Sequence, residues 1–479
     1  MLSRCARRVL VAMSLVPVAL GGCDDDANVD RRIPDGGPLD ASPDAWPDAH
    51  PDARSDADPD ASTVSQLDRE RDPVVFTGAE AAPLLGKRPA SLVAFAYGAE
   101  GWRQIPLQVD ERVQADLGKI SGNSNANGVT VNVYADPATS VGADVDLDVD
   151  ADDEIVLMAS DTGARAMVTQ PPAGTVDGSG VEVTVRDALN EARTRYAYLF
   201  VHDGSLDSAA GKKYATYAFA RDSSTVTTEV YAQHFLGRWI SDELRIKAGT
   251  GVDILDRNKT YFAPGQGCGE NEESFNSCGG PFLANKDGAV RAIRAYMGAC
   301  SGAHTERDHV FYAARADIRT ILRVHAIPSI IDAIGYSPDA KGMMYFSNRL
   351  PSGDAIDGIP AASAPQGKPE WELVTGPQGS VSWSLAIDTD LPNPVESYYD
   401  DNASHNECTG SGHAYGLSGT YVSQQLPCTD PVTCKSSARR LSGTRIAYFG
   451  APGWTASDAA KLDALAKRPL TATCASITF

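Results

Sequence analysis

The sequence predicts a mainly β protein with a β-sandwich or double-sandwich (supersandwich-like) body, which follows a signal peptide and a disordered tether. Two observations carry this prediction. Short runs rich in β-branched and aromatic residues recur through the body, and clusters of Gly, Asn, Asp or Pro separate them. Helical patterns are scarce, because only 328–334 and 457–467 read as helices, the second with Ser457 as its N-cap. The clearest strand runs cover 91–97, 104–109, 129–134, 154–158, 180–185, 196–201 and 214–220.

The first 23 residues have the form of an export signal. Three arginines precede an apolar run over 9–20, which is shorter than the roughly 20 residues that a membrane-spanning helix needs. Residues 20–23 read Leu-Gly-Gly-Cys and resemble the bacterial lipobox, which implies that 1–22 is a removed signal peptide and that Cys23 carries the lipid. An ordinary secretory signal with a coincidental cysteine is the alternative. No later stretch is long and apolar enough for a transmembrane helix, so the lipid is the expected membrane anchor.

Residues 23–62 form the lipidated, Asp/Pro/Ala-rich tether. Asp recurs at every fourth position from Asp40 to Asp60, and proline at this density forbids a helix. We expect an extended, self-repelling chain. Acidic residues after a lipidated cysteine resemble surface-export signals in some bacteria and an inner-membrane retention signal in others. We expect an exported protein that is lipid-anchored in the cell envelope, with the outer membrane or cell surface favoured over the inner membrane.

The body, 63–479, is acidic in its own right. The chain carries a formal charge of −21, of which 1–23 contribute +3 and 24–62 contribute −9, leaving −15 for the body. Such a charge repels phosphate backbones and anionic lipid heads, which excludes nucleic acid and a membrane-binding face. A Gly- and Ser-containing stretch near 203–211 divides the body into an N-terminal β domain (63–205) with an acidic loop and a C-terminal β domain (206–479).

Seven cysteines remain after Cys5 and Cys23. Export favours disulfides, and Cys268 with Cys278 and Cys428 with Cys434 are local candidates within loops of the C-terminal domain. Zinc is the alternative, but neither spacing matches a C-x2-C knuckle. Because seven is odd, we expect one free, buried thiol.

An acidic run over 144–154 suggests a metal site. Carboxylates at alternate positions lead directly into an apolar strand, and their mutual repulsion favours a hard, oxygen-binding cation, Ca2+ above all. The run is not an EF-hand, since no turn glycine stands at the required position. A solvated acidic loop is the other interpretation. The predicted ligands are Asp144, Asp146, Asp148, Asp150, Asp152 and Glu154.

Two flanking segments, 102–111 and 153–163, resemble part of a group of exported, uncharacterised bacterial proteins. In that group an "IPxQxDE" strand precedes an acidic "DDExxxxAxDxG" strand, and some relatives look like polysaccharide-degrading β-sandwich proteins. The resemblance implies a β-sandwich rather than a particular activity, and it transfers no catalytic residue to this chain. By themselves the residues predict a pair of core strands, with Trp102 and Ile105 buried and Asp110 and Glu111 at a turn.

A concentration of basic and imidazole groups, which also holds Glu306 and Asp308, runs from 291 to 336. If 317–327 is a strand, Arg319, Arg323 and His325 share one face, where arginine could hold a carboxylate and histidine could move a proton. Structural pairing with the many acids is the alternative. The histidines of His304-Thr-Glu-Arg-Asp-His309 are five residues apart, which is wrong for a zinc helix. The predicted catalytic set is His309, Arg319, Arg323 and His325.

Two functions from different classes fit these observations. The leading hypothesis is a cell-envelope lipoprotein that displays a β-sandwich binding module, stabilised by Ca2+, with a polysaccharide or another envelope component as its partner. The rival is a carbohydrate-active enzyme, a polysaccharide lyase or mutarotase-like protein acting on acidic polysaccharide. A concave sheet with Trp371 or Trp383 as a sugar-stacking platform would favour the enzyme, and a closed apolar sandwich would favour the module.

Overall fold

A computed structural model of the protein describes residues 67–122, 128–262, 272, 276, 280–298, 305–324, 330–361, 366–391, 394–406, 413–422 and 439–479. Within these ranges the chain is mainly β, as predicted, and the strands pair antiparallel in several sheets. All of these residues belong to one spatial unit. None of the helices in the described ranges combines the length and the hydropathy that crossing a membrane requires.

The N-terminal part of the body holds nine strands and a short helix, α1 (Leu117–Ser121). A five-stranded sheet has the order β27-β8-β9-β2-β3, a three-stranded sheet has the order β1-β7-β4, and β5 and β6 form a separate hairpin. The strands are β1 (Pro73–Thr77), β2 (Leu92–Gly98), β3 (Gly101–Ile105), β4 (Gln108–Asp110), β5 (Arg112–Asp116), β6 (Thr130–Tyr134), β7 (Glu154–Met158), β8 (Val181–Asp187) and β9 (Asn190–Val201), with β27 (Thr471–Ser476) arriving from the C-terminus.

A nine-stranded sheet dominates the rest of the body, in the order β15-β16-β17-β18-β26-β23-β22-β20-β21. Two four-stranded sheets accompany it, with the orders β10-β11-β12-β13 and β14-β19-β25-β24. Their strands are β10 (Ala215–Ala218), β11 (Ser223–Thr228), β12 (Tyr231–Leu236), β13 (Ile240–Ile246), β14 (Leu255–Phe262), β15 (Phe282–Asp287), β16 (Ala292–Met297), β17 (Thr305–Phe311), β18 (Arg315–Val324), β19 (Ile330–Tyr336), β20 (Met344–Ser347), β21 (Leu350–Ala355), β22 (Trp371–Gly376), β23 (Gly379–Thr389), β24 (Glu396–Asn406), β25 (His413–Val422) and β26 (Arg439–Gly450).

The largest hydrophobic core joins these three sheets. Phe311 and Phe449 of the nine-stranded sheet pack with Tyr231 and Phe235 of β12 and with Tyr336 of β19. Tyr231 stacks on Phe449 with ring centroids 4.0 Å apart. Alternate residues of the central strands therefore point into a sandwich interior, and the residues between them point away from it.

Both predicted helices need correction. Residues 330–336 form strand β19, because this Ile-rich run pairs with β14 on one side and β25 on the other, and sheet pairing decides between two possible periodicities. The second helix exists as α2 (Ala456–Lys467), but its N-cap is Thr455 rather than Ser457. Thr455 and Asp458 form a reciprocal capping box, which satisfies backbone groups at both positions.

The two segments that carry the family resemblance do form paired strands, since β4 pairs with β7. Ile105 is buried as predicted, whereas Trp102 is only partly buried among aromatic rings. Asp110 is buried within β4 rather than lying at a turn. β27 pairs with β8, so the last strand of the chain belongs to a sheet of the N-terminal part.

Candidate functional site

Strands β16, β17 and β18 carry different side chains on their two faces. Register places Asp308 opposite Arg319 on one face, which we call the cleft face. It places His309 opposite Arg294 and Ile318 on the other, which packs into the sandwich interior and which we call the core face. Because successive residues of a strand alternate, Asp308 and His309 are neighbours in sequence but point to opposite sides of the sheet.

A polar cleft of about 250 Å³ opens on the cleft face. The hairpin β5–β6 and the start of β7 form one wall, and the sheet forms the floor. Its charged lining comprises four carboxyl groups and two guanidinium groups, so it is acidic like the body as a whole. The lining residues are Arg112, Asn132, Val133, Tyr134, Glu154, Ala295, Glu306, Asp308, Val310, Asp317, Arg319 and Thr444.

Glu306 and Asp308 form a carboxyl pair on the cleft floor. The Nη2 atom of Arg319 lies 3.0 Å from an Asp308 oxygen and 3.5 Å from a Glu306 oxygen, and the Arg319 side chain is 44% exposed. Burial and the neighbouring Glu306 raise the pKa of Asp308 well above its usual range, although Arg319 opposes the shift. The pair therefore retains a proton at pH values where ordinary carboxyls have lost theirs, so it can donate as well as accept.

The wall formed by β5, β6 and β7 is fixed by ion pairs. Glu154 accepts from Arg112 at 2.8 Å, from Tyr134 at 2.9 Å and from Arg291 at 2.6 Å. Arg291 also lies 2.7 Å from Asp110. Burial raises the pKa of both Glu154 and Asp110, but their partners together outweigh it and hold both below their usual values. Arg291 contributes most, with Lys286 and Gln108 at Asp110 and with Arg112 and Tyr134 at Glu154. This wall is therefore rigid and charged at neutral pH.

The resemblance segments supply that wall. Gln108 accepts from the backbone N–H groups of Val290 and Arg291, each at 2.9 Å, and donates to Asp110. Gln108, Asp110 and Glu154 of these segments thus all contact one buried arginine, Arg291. Their role in this chain is to join β4 and β7 to the residues that lead into β16.

The structure brings one of the four predicted catalytic residues to the cleft, namely Arg319. His309 lies on the core face, where its ring is buried beside Phe311 and its Nε2 atom lies 2.9 Å from the Tyr296 hydroxyl. Burial, Arg294 and Arg307 lower the pKa of His309 well below its usual value, so the ring is neutral. Arg323 belongs to β18, an even number of residues after Arg319. His325 lies outside the described residues.

Trp371 and Trp383 offer no stacking surface. They are 8% and 3% exposed respectively, and Trp383 belongs to the main core. A ring must present its face to solvent to stack on a sugar, so neither tryptophan forms the platform that would favour the enzyme. Both rings are packed inside the protein, as expected for a closed sandwich rather than for a concave, solvent-facing sheet.

The acidic run contributes only part of the predicted metal site. Asp144 gathers with Glu111 and Asp153, with potential ligand oxygens within 4.8 Å of one another. Glu154 belongs to the cleft wall, and Asp148 pairs with Arg88 at 2.8 Å. The remaining acids mainly shape the loop through bonds between a carboxylate and the backbone N–H two residues on, as Asp144 does to Asp146, Asp146 to Asp148, and Asp150 to Asp152.

Sequence reasoning did not place Glu111 and Asp153 in this acidic cluster. Burial first, and then Asp153 and Asp144, raise the pKa of Glu111 to about 7. Its Oε2 atom is buried without a hydrogen-bond partner in the described part of the chain. Glu111 was visible in the sequence beside Asp110, but only the fold brings it to the acidic run.

The disulfide and lipidation predictions fall on Cys268, Cys278, Cys428, Cys434 and Cys23, all of which lie outside the described residues. Cys474 on β27 is described and is a free, partly buried thiol. Burial raises its pKa to about 12, so it stays protonated and unreactive at neutral pH.

Comparison with known proteins adds little to this geometry. No family model and no curated protein matches the chain. Among solved structures, a protein assigned as a mutarotase from Salmonella typhimurium is similar over 49% of this chain and 94% of its own, at 9% identity and a TM-score of 0.29. At that TM-score the similarity carries no argument about function.

Proposed function

We propose that this protein is a cell-envelope lipoprotein whose β-sandwich body binds a carbohydrate in the cleft. The observation that carries the proposal is the pairing of Arg319 with Asp308 and of Arg112 with Glu154 along one solvent-open cleft. Each pair sets donors and acceptors side by side, which suits the hydroxyl groups of a sugar. Because the pairs are held by bonds to each other, little entropy is lost when a ligand binds.

The charge of the cleft selects among carbohydrates. Both guanidiniums of the lining, Arg112 and Arg319, are already engaged by cleft carboxyls, so neither is available to pair with the carboxylate of a uronate. A uronate would add a further negative charge to this acidic, partly desolvated space. We therefore propose a neutral or amine-bearing sugar in place of the acidic polysaccharide expected from the sequence.

A glycan array probed with the intact protein tests this proposal. We expect binding to neutral or amino-sugar oligosaccharides and little binding to uronates. Arg319→Ala should weaken binding by roughly 10- to 100-fold, because it removes hydrogen bonds to a charged group. Arg103→Ala is the matched control, since its side chain is 61% exposed and lies outside the cleft lining. Equal binding by both variants, or a preference for uronates, would contradict the proposal.

A carbohydrate-active enzyme is the second candidate, favoured by the proton that Glu306 and Asp308 retain. A buried carboxyl with a raised pKa is suited to act as a general acid toward a glycosidic or ring oxygen. If the cleft is catalytic, Asp308→Asn should reduce turnover of the array-selected sugar by roughly 100-fold or more. Release of reducing ends and mutarotation would both be measured. Unchanged rates in Asp308→Asn would remove the pair from the mechanism.

We also propose that Ca2+ binds at Glu111, Asp144 and Asp153. Support comes from their convergence and from the Glu111 oxygen that lacks a partner among the described residues. Calcium should raise the melting temperature by mass action, and Asp144→Asn should abolish the rise. Asp146→Asn is the control in the same loop, because its side chain is exposed and does not join the cluster. The same calcium response in both variants would exclude the site.

The lipid anchor remains a proposal that rests on the Leu-Gly-Gly-Cys sequence at 20–23. Mass spectrometry of the mature protein should find an acylated Cys23 at the N-terminus. Cys23→Ser should move the protein from the membrane fraction to the soluble envelope fraction. Recovery of unmodified Cys23 still joined to Gly22 would refute lipidation.

A further inference from the structure

Arg294 is a buried cation with an unusual environment. Its side chain lies at the centre of β16 on the core face, with 0% exposure. Among the described residues no carboxylate forms an ion pair with it. Its Nη2 atom donates to the Gly237 carbonyl, while its Nε and Nη1 atoms have no hydrogen-bond partner in the described part of the chain.

Aromatic rings surround this guanidinium. Its central carbon lies 4.5 Å from the Phe235 ring centroid, 4.7 Å from that of Tyr296 and 4.9 Å from that of Phe282. Each such contact stabilises a cation by roughly 0.5–2 kcal/mol. The ring faces satisfy charge but accept no strong hydrogen bond, so the N–H groups at the guanidinium edge remain unsatisfied.

Further guanidinium groups lie near Arg294, together with the neutral ring of His309. Arg307 and His309 occupy the adjacent strand, where Arg307 stands opposite Tyr296 and His309 opposite Arg294. Arg307 Nη1 and His309 Nδ1 are likewise buried without partners among the described residues. Burial and the nearby cations, including Arg294, lower the pKa of Arg238, which places a further guanidinium in this region.

The carboxylate that pairs with Arg307 is already shared. Asp332 on β19 lies 3.2 Å from Arg307 and 3.3 Å from Arg445, so one negative charge serves two guanidiniums. An arginine cannot avoid the cost of burying its charge by losing its proton, because its pKa is too high. A buried ion without a counter-charge costs several kcal/mol, and a bound anion removes that cost.

We propose that a small monovalent anion, of the size and charge of a halide, binds at the edge of Arg294 inside the sandwich. The rings cover the guanidinium and leave only its edge free, which excludes a bulky ligand. Arg294 Nε and Nη1 supply hydrogen bonds that no described residue accepts. The anion is therefore a structural ligand of the core, distinct from any ligand of the cleft.

Halide dependence of stability tests the proposal in the intact protein. Melting temperatures would be measured in sodium bromide and in sodium gluconate at equal ionic strength. We expect the wild type to gain up to roughly 1.5 °C per tenfold increase in bromide, with no gain in gluconate. Arg294→Met should lose the bromide response, whereas Arg319→Met, which changes the cleft, should keep it. Equal melting temperatures of the wild type in both salts would overturn the proposal.

Crystals of the wild type grown in bromide give a second measurement that does not depend on a variant folding. We expect an anomalous peak within hydrogen-bonding distance of Arg294 Nε or Nη1. Bromide peaks confined to the protein surface would overturn the proposal even if salt changes the melting temperature.

Discussion

Arg291 and Arg294 are three residues apart and are 2% and 0% exposed. Arg291 directly precedes β16 and pairs with the cleft wall, whereas Arg294 lies within β16 on the core face. Arg291 meets two carboxylates, Asp110 at 2.7 Å and Glu154 at 2.6 Å. Arg294 meets three aromatic rings and no carboxylate among the described residues. The same side chain at the same depth is thus stabilised by ion pairs at the cleft wall and by ring faces on the core face.

This difference follows from what each face must do. The cleft face is partly wet, so ion pairs there can hold a wall rigid while leaving polar groups available to a ligand. The core face is closed, so every charge on it needs a partner inside the protein. The comparison shows that the depth of burial does not decide how a charged side chain is stabilised. The groups that contact it decide this.

The largest expected effect on stability comes from removing Arg291 and with it the ion pairs of the cleft wall. Arg291→Met should destabilise the protein by roughly 3–5 kcal/mol, because it leaves Asp110 and Glu154 in a desolvated site without their cation. Chemical denaturation at neutral pH measures this loss. Arg88→Met is the control, since Arg88 is 60% exposed in its pair with Asp148 and should cost no more than about 1 kcal/mol. Similar losses in both variants would contradict a structural role for Arg291.

A buried acid on the core face sharpens the comparison. A buried carboxylate can become neutral by binding a proton, whereas an arginine keeps its charge. Burial raises the pKa of Glu372 to about 7 from an ordinary value of 4.5. Between these values the folded protein keeps the proton and the unfolded chain loses it, so stability should fall by roughly 3 kcal/mol as pH rises from about 4.5 to about 7. Glu372→Gln should remove this decline, as measured by denaturation across that range. A decline of the same size in the variant would assign it to other groups.

The smallest expected effect belongs to Arg294. In a halide-free buffer Arg294→Met should change stability by no more than about 1 kcal/mol, because the burial cost that the variant removes offsets the ring contacts that it loses, and no carboxylate loses its partner. Denaturation beside Arg291→Met makes the comparison direct. A loss in Arg294→Met as large as that in Arg291→Met would mean that Arg294 is ion-paired after all.

The sequence was sufficient for the fold class, because alternating β-branched runs mark strands wherever they occur, as at 154–158 and 196–201. It was insufficient for 328–334, where an Ile-rich run suits a strand and a helix equally and pairing decides. The site shows the same limit. Arg319 was identified as a charged strand residue, but the register that sets it beside Asp308 and sends His309 to the other face is a property of the sheet.

The other wall of the cleft was beyond sequence reasoning for a different reason. Arg112 and Tyr134 face each other across the β5–β6 hairpin, but Glu154 joins them only because β7 packs beside that hairpin. Local patterns predict strands, while the meeting of residues from separate strands depends on tertiary packing. The calcium prediction failed to include Glu111 for the same reason.

A crystal structure of the protein with a neutral or amino-sugar oligosaccharide selected from the array tests the central claim most directly. The account predicts sugar density in the cleft, with hydroxyl groups in hydrogen-bonding distance of Arg319 or Arg112. A sugar bound elsewhere on the body, over an empty cleft, would contradict it.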